Sequence, residues 1–215
     1  VIPASVNEIL PQITHFLAEE IRTARRYLSS LKIYDSIEAL HFQVLNKDTS
    51  PIELSILMKP ILDGHNVGVI SESGCPGIAD PGALAVEYAH QHNIQVVPLV
   101  GPSSILLALM ASGLNGQQFA FHGYLPIEEK EATKVIKELE SESKQKNQTQ
   151  IFIETPYRNN SIFANLLKTL HPQTKLTVAL DLTGANETVL TQSIAAWKNK
   201  KPNWPKTPSV FLFLA

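Results

Sequence analysis

Apolar residues fall at helical spacing in some stretches of this chain and in short unbroken runs in others, and the order of the two predicts an α/β protein. Between positions 5 and 31, Ile9, Ile13, Phe16, Leu17, Ile21, Ala24 and Leu28 recur as a helix would space them, with Pro11 separating a first turn from the main body. Residues 36–45 alternate and read equally as strand or loop. Ser50-Pro51 opens a helix through Leu54, Leu57, Met58, Ile61 and Leu62, kinked at Pro60 and closed by Asp63-Gly64. Residues 66–70 are short and β-rich, as in a strand buried on both faces. A helix over 83–91 follows, with Asp80 as N-cap and Pro81 at its first position, then a strand over 94–99 and an apolar helix over 105–112. That alternation is the cadence of a parallel sheet wound by helices.

The composition changes around 113–118, which puts a domain boundary there: an N-terminal α/β domain over 1–115 and a C-terminal α/β domain over 116–215. In the second, strands are expected over 119–125, 151–154, 176–182 and 210–214. Helices are expected over 127–148 and 160–170. The first of these helices buries Val135, Ile136 and Leu139, and its many Glu and Lys residues form a solvated face.

Two loops stand out. Residues 71–82, SESGCPGIADPG, and 100–104, VGPSS, each leave a predicted strand and enter a helix. In parallel sheets such loops lie outside the carboxyl ends of the strands, where ligands bind. Gly74, Gly77 and Gly101 let backbone approach a ligand, and the helix starts offer N–H donors. Neither loop has the Lys-Ser/Thr of a phosphate-cradling loop, and no GxGxxG fingerprint is present.

With 44% hydrophobic and 18% charged residues the 215-residue chain can bury a sizeable core. A single cysteine, Cys75, excludes an internal disulfide framework and a cysteine zinc site, and the seven histidines have no metal-ligand spacing, so no metal is expected. No run approaches the ~20 apolar residues of a membrane span. A cytoplasmic protein without membrane attachment is the expectation. The formal net charge of −2 argues against a large nucleic-acid footprint, and the one basic cluster is Arg22, Arg25 and Arg26, with Lys32 beyond.

These segments carry a specific resemblance. SESGCPGIADPG at 71–82, VVPLVGPSSILLALMASGL at 96–114, FAFHGYLP at 119–126 and IFIETPYR at 151–158 resemble successive signatures of the tetrapyrrole methylase superfamily. AEEIRTARRYL at 18–28 and LDLTGANETV at 180–189 are similar to segments of its ribosomal RNA small subunit methyltransferase I branch. The resemblance implies two α/β domains with a cofactor cleft between them, a homodimer, and S-adenosyl-L-methionine as methyl donor. Carried over by position, its cofactor contacts fall on Ser73, Gly74, Cys75 and Ile78 in the first loop and on Gly101, Ser103 and Ser104 in the second. In the second domain they fall on Glu154, Leu182 and Thr183.

The implied activity is methyl transfer, with 2'-O-methylation of ribosomal RNA as the reading that follows the branch. A small tetrapyrrole-like acceptor and a non-catalytic binding module on the same fold are the alternatives. A ribose hydroxyl acceptor would benefit from a general base, for which Glu72, His122, Glu154, Asp181 and Glu187 are candidates. Cys75 has no histidine base in motif distance and reads as a loop residue beside the cofactor, not a nucleophile. Glu72 stands where the family has Asp, and Ile-Glu-Glu-Lys after GYLP is not basic; both weigh against RNA. The family also opens with a strand and a Gly-containing loop that residues from Val1 onward do not supply, so either an upstream segment provides them or the site is incomplete.

Overall fold

A computed structural model describes residues 1–200 and 202–215. The chain divides into two compact units, Val1–Pro102 and Ser103–Ala215.

In the first unit the parallel sheet has the order β2-β1-β3, from β1 (His15–Ala18), β2 (His41–Val44) and β3 (Val67–Ile70). The helix read over 5–31 is corrected to three pieces: α1 (Ala4–Ile9) with a short 3-10 turn, then β1, then α2 (Ile21–Leu31). The misreading has a physical cause. Central β1 is buried on both faces, so Phe16 and Leu17 are apolar in succession, and periodicity alone cannot separate such a strand from a buried helix. Phe16 packs with Leu10, Ile13, Leu28 and Leu40 on one face. Leu17 packs with Leu45, Leu54, Met58, Ala85 and Ala89 on the other.

The second of those clusters is built by α3 (Pro51–Leu57) and α5 (Gly82–Gln91). A capping box between Ser50 and Glu53 starts α3, and α4 (Lys59–Leu62) begins anew where Pro60 prevents continuation. β3 is only half-buried, not buried on both faces, because one of its edges has no neighbour among the described residues. The strand expected over 94–99 is likewise not formed. Ile94 and Val96 do pack inward with β3 and α5, while Val97 and Leu99 stay exposed, so the alternation is there without the ladder.

The second unit holds a mixed sheet of order β4-β5-β8-β6-β7. Its strands are β4 (Phe119–Tyr124), β5 (Thr149–Glu154), β6 (Lys175–Leu180), β7 (Thr188–Ser193) and β8 (Ser209–Leu214). β4 runs parallel to β5, and the remaining pairs are antiparallel. α7 (Glu129–Lys146), α8 (Asn159–Thr169) and α9 (Ile194–Lys198) cover one face, where Ile136, Leu139, Phe163, Leu166 and Trp197 meet Phe152, Phe211 and Phe213. α6 (Ser104–Ser112) covers the other, placing Ile105, Ala108 and Leu109 on Ile151, Ala179, Val210 and Leu212. The sequence reading gave α6 to the first domain and set the boundary at 115/116; its packing puts it on the second sheet, and the units part at Pro102/Ser103. β7 and α9 were not anticipated: β7 is a half-buried edge strand whose pattern is weak.

Candidate functional site

The first loop leaves β3 at Ile70 and runs to α5 across the carboxyl end of the first sheet. Glycines at 74 and 77 have φ of +76° and +79°, the left-handed region that other residues adopt at a cost. Asp80 shapes the exit: its Oδ1 accepts from the Gly77 N–H at 2.9 Å and the Gly82 N–H at 2.7 Å. The expected N-cap is thus displaced by one residue, since the cap position belongs to Pro81, which has no side-chain donor or acceptor. A small depression at this end of the sheet is lined by Ala18, Glu19, Ile70, Asp80, Pro81 and Gly82. Burial, then the charges of Asp80 and Glu72, push the Glu19 carboxyl above its ordinary range.

Cys75 ties the two loops of this unit together. Its Sγ donates to the Pro102 carbonyl at 3.4 Å and lies 3.9 Å from the Gly101 carbonyl. Ser73, Gly74 and Ile78 are exposed on the same loop. Gly101 is also exposed, and a Cβ built there would meet nothing within 4 Å. A larger groove, lined by His15, His41, Leu57 and Pro60, sits at the amino ends of the strands, away from the loops.

In the second unit Ser103 is the N-cap of α6 and makes no side-chain cap bond, and Ser104 is the exposed first residue of the helix. Glu154 ends β5, and the register Glu154–Ser209–Leu180 aligns the end of β5, the start of β8 and the end of β6. One end of the sheet therefore gathers the loops 125–128, 155–158, 181–187 and 204–208. Leu182 is partly buried against the α6 cluster, and Thr183 is exposed with φ of +68°. Two bonds fix that loop: the Thr183 N–H donates to Glu187 Oε2 at 2.6 Å, and the Asn186 N–H to Asp181 Oδ2 at 2.9 Å.

Glu154 is 4% exposed. Its Oε1 accepts from the Thr155 N–H at 2.7 Å, and Oε2 lies 3.3 Å from Arg158 Nη2, an ion pair whose angle falls short of a hydrogen bond. Arg158 in turn donates to the Pro126 carbonyl at 2.9 Å and the Leu125 carbonyl at 3.4 Å. Sequence reasoning quoted Arg158 inside a motif without giving it a role. The signal was the i, i+4 spacing of opposite charges across a strand-end turn.

Of the base candidates, His122 faces Gln150 Oε1 at 2.6 Å, and Glu154, Asp181 and Glu187 are occupied as described. Glu72 is exposed, on the first loop.

Comparison with known proteins adds the lineage. A family model described as Tetrapyrrole (Corrin/Porphyrin) Methylases matches residues 18–197. Three similar curated proteins are named ribosomal RNA small subunit methyltransferase I. The Vibrio cholerae protein is 28% identical over 95% of this chain and 69% of its own length. That of Xylella fastidiosa is 31% identical over 92% and 69%. That of Buchnera aphidicola subsp. Baizongia pistaciae is 32% identical over 65% and 46%, so the chain spans under half of that relative. Among solved structures, the methyltransferase CobJ shares the fold with a TM-score of 0.63 at 15% identity, covering 99% of this chain and 87% of its own. The uroporphyrin-III-C-methyltransferase from Thermus thermophilus gives 0.52 at 16% identity, covering 99% and 85%. A match of this extent, on a fold that both solved methyltransferases share, makes this chain a member of the tetrapyrrole (corrin/porphyrin) methylases.

Proposed function

We propose that the chain is an S-adenosyl-L-methionine-dependent methyltransferase whose acceptor is RNA, with a ribose 2'-hydroxyl of ribosomal RNA as the target. The observation that carries the methyl donor is the loop pair joined by Cys75, which leaves the backbone of Ser73, Gly74 and Gly101 open at exposed positions. A sulfonium-bearing amino acid joined to a nucleoside needs carbonyl oxygens near its positive centre and no bulky side chain in its path. These loops fit both demands. Gly101 in particular has unfilled space where a side chain would stand.

When bound, the donor supplies an electrophilic methyl group that needs no protonated leaving group. The work left to the protein is mainly alignment and the exclusion of water. We assign Ser73, Gly74, Cys75, Ile78 and Gly101 to the first part of the cofactor contact, and Ser103, Ser104, Leu182 and Thr183 to the second. Glu154 belongs with them through its loop: its carboxylate is engaged by Thr155 and Arg158, so it positions backbone. The names of the similar curated proteins support the RNA acceptor. A homodimer belongs to the same reading.

Titration calorimetry of the purified chain with S-adenosylmethionine and S-adenosylhomocysteine is the direct test. Micromolar binding of both supports the cofactor. A folded chain that binds neither overturns the proposal.

A further inference from the structure

The turn after β5 carries an anomaly. Tyrosine normally buries its ring and leaves only the hydroxyl wet, yet Tyr157 is 81% exposed. The turn that carries the ring is tied down by the two residues after it. On one side of it in sequence, Arg158 holds the Pro126 carbonyl and pairs with buried Glu154. Next along, fully buried Asn159 donates from Nδ2 to the Pro205 carbonyl at 3.1 Å and the Thr207 carbonyl at 2.8 Å, and its Oδ1 accepts from Ser209 Oγ at 2.5 Å. Both neighbours of Lys206 are therefore bonded to Asn159, two positions along from Tyr157. The result is a cation over the ring, with Lys206 Nζ 5.2 Å from the ring centroid. A second exposed apolar side chain, Ile127 at 86%, follows the Pro126 that Arg158 holds.

A solvent-facing aromatic ring beside a lysine, carried on a turn that is tied to the sheet end, is suited to an unpaired nucleobase and its phosphate. The ring offers a stacking surface to any base, and the cation answers the backbone charge. A folded protein partner would call for a continuous apolar patch; here exposed Thr155 and Asn160 lie near the ring along the chain and exposed Lys206 lies over it. We propose that Tyr157 is a stacking platform for an unpaired base of the RNA acceptor, with Lys206 contacting the neighbouring phosphate. The inference rests on the RNA reading above and adds to it the residues that hold the strand.

The test measures binding of a fluorescent single-stranded RNA oligonucleotide of mixed sequence by anisotropy, with cofactor affinity followed in parallel by calorimetry. Tyr157→Ala should weaken RNA binding by about ten-fold and leave cofactor affinity and melting temperature unchanged, because stacking on one aromatic ring contributes on that order. Tyr157→Trp should retain the affinity, which a role in local folding alone would not predict. Lys206→Ala should lower the slope of log affinity against log salt by about 0.7, the contribution of one phosphate contact to a single strand. The platform is overturned if Tyr157→Ala binds RNA as the wild type does, or if Tyr157→Trp binds as poorly as the alanine variant. Loss of self-association in Tyr157→Ala with RNA binding intact would make the ring a contact between copies and also overturn it. A wild-type chain that binds cofactor but no RNA overturns the acceptor reading, and the platform with it.

Discussion

Two residues separate what the ligand loops need for folding from what they need for binding. Arg158 is a folding residue first. Its side chain is 24% exposed and that of Glu154 is fully buried, so truncating the arginine leaves a carboxylate without its counter-charge. Breaking one side of such a pair costs about 3 kcal/mol or more, whereas removing the charge from the other side costs less. Arg158→Ala should therefore lower the urea midpoint markedly and Glu154→Gln only mildly. Equal small losses would place the pair at the surface energetically. Gly101 is the opposite case. Its φ is not in the left-handed region and a Cβ there meets nothing, so Gly101→Val should leave the melting temperature within about a degree of wild type. Its loop is where the cofactor is proposed to sit, so S-adenosylmethionine affinity should fall by about ten-fold or more. An unchanged affinity by calorimetry would move the ligand away from the second loop.

At the scale of elements, the amino ends of the first sheet concentrate imidazoles. His15 opens β1, His41 opens β2, and His65 precedes β3; the His15 ring centroid lies 4.6 Å from each of the other two. Burial, then the charges of His41 and His65, hold His15 below its ordinary value of 6.5. The folded state thus takes up this proton less readily than the unfolded chain does. Its contribution to stability is complete above 6.5 and is lost as the pH falls from there through the lowered value. Thermal melts between pH 7.5 and 5 should show the midpoint falling with acid, and a His41→Gln/His65→Gln variant should show a shallower fall. Identical slopes would remove the cluster from the account. Parallel strands place these residues side by side, and nothing in their separations along the chain announces it. The same limit governs the rest of the fold. Helices α3, α5, α7 and α8 were legible because caps, prolines and amphipathic stripes are local signals. β1 was not, because burial on both faces erases its alternation, and residues 94–99 showed a strand pattern but form no ladder, although Ile94 and Val96 pack inward beside β3. The two loops, one containing Ser73 and Cys75 and the other Gly101, were legible from their glycines and prolines. The Arg158 and Asn159 bonds were invisible, because they join residues more than thirty positions apart.

For the whole molecule the issue is how a chain of net charge −2 could hold RNA. Glu72 and Asp80 on the first loop, with Glu19 after β1 close enough to feel both, gather negative charge at the carboxyl end of the first sheet, which disfavours phosphates there. The basic cluster on α2 is divided by the fold. Arg25 is drawn into structure, 3.6 Å from Glu38 and 5.5 Å from the Phe42 ring centroid, whereas Arg22 and Arg26 are exposed one helical turn apart. Of the three arginines, Arg22 and Arg26 are the two left exposed to meet phosphates. Each phosphate contact to single-stranded RNA contributes about 0.7 to the slope of log affinity against log salt. Arg22→Glu/Arg26→Glu should therefore reduce that slope by about 1.4 and weaken binding at low salt, with the melting temperature and cofactor affinity unchanged. Arg25→Glu should instead lower stability slightly, because it sets a second carboxylate beside Glu38 and removes the cation from the Phe42 ring. If the Arg22/Arg26 variant keeps the full slope while Lys206→Ala loses part of it, the RNA is held by the second unit alone and α2 is an ordinary solvated helix.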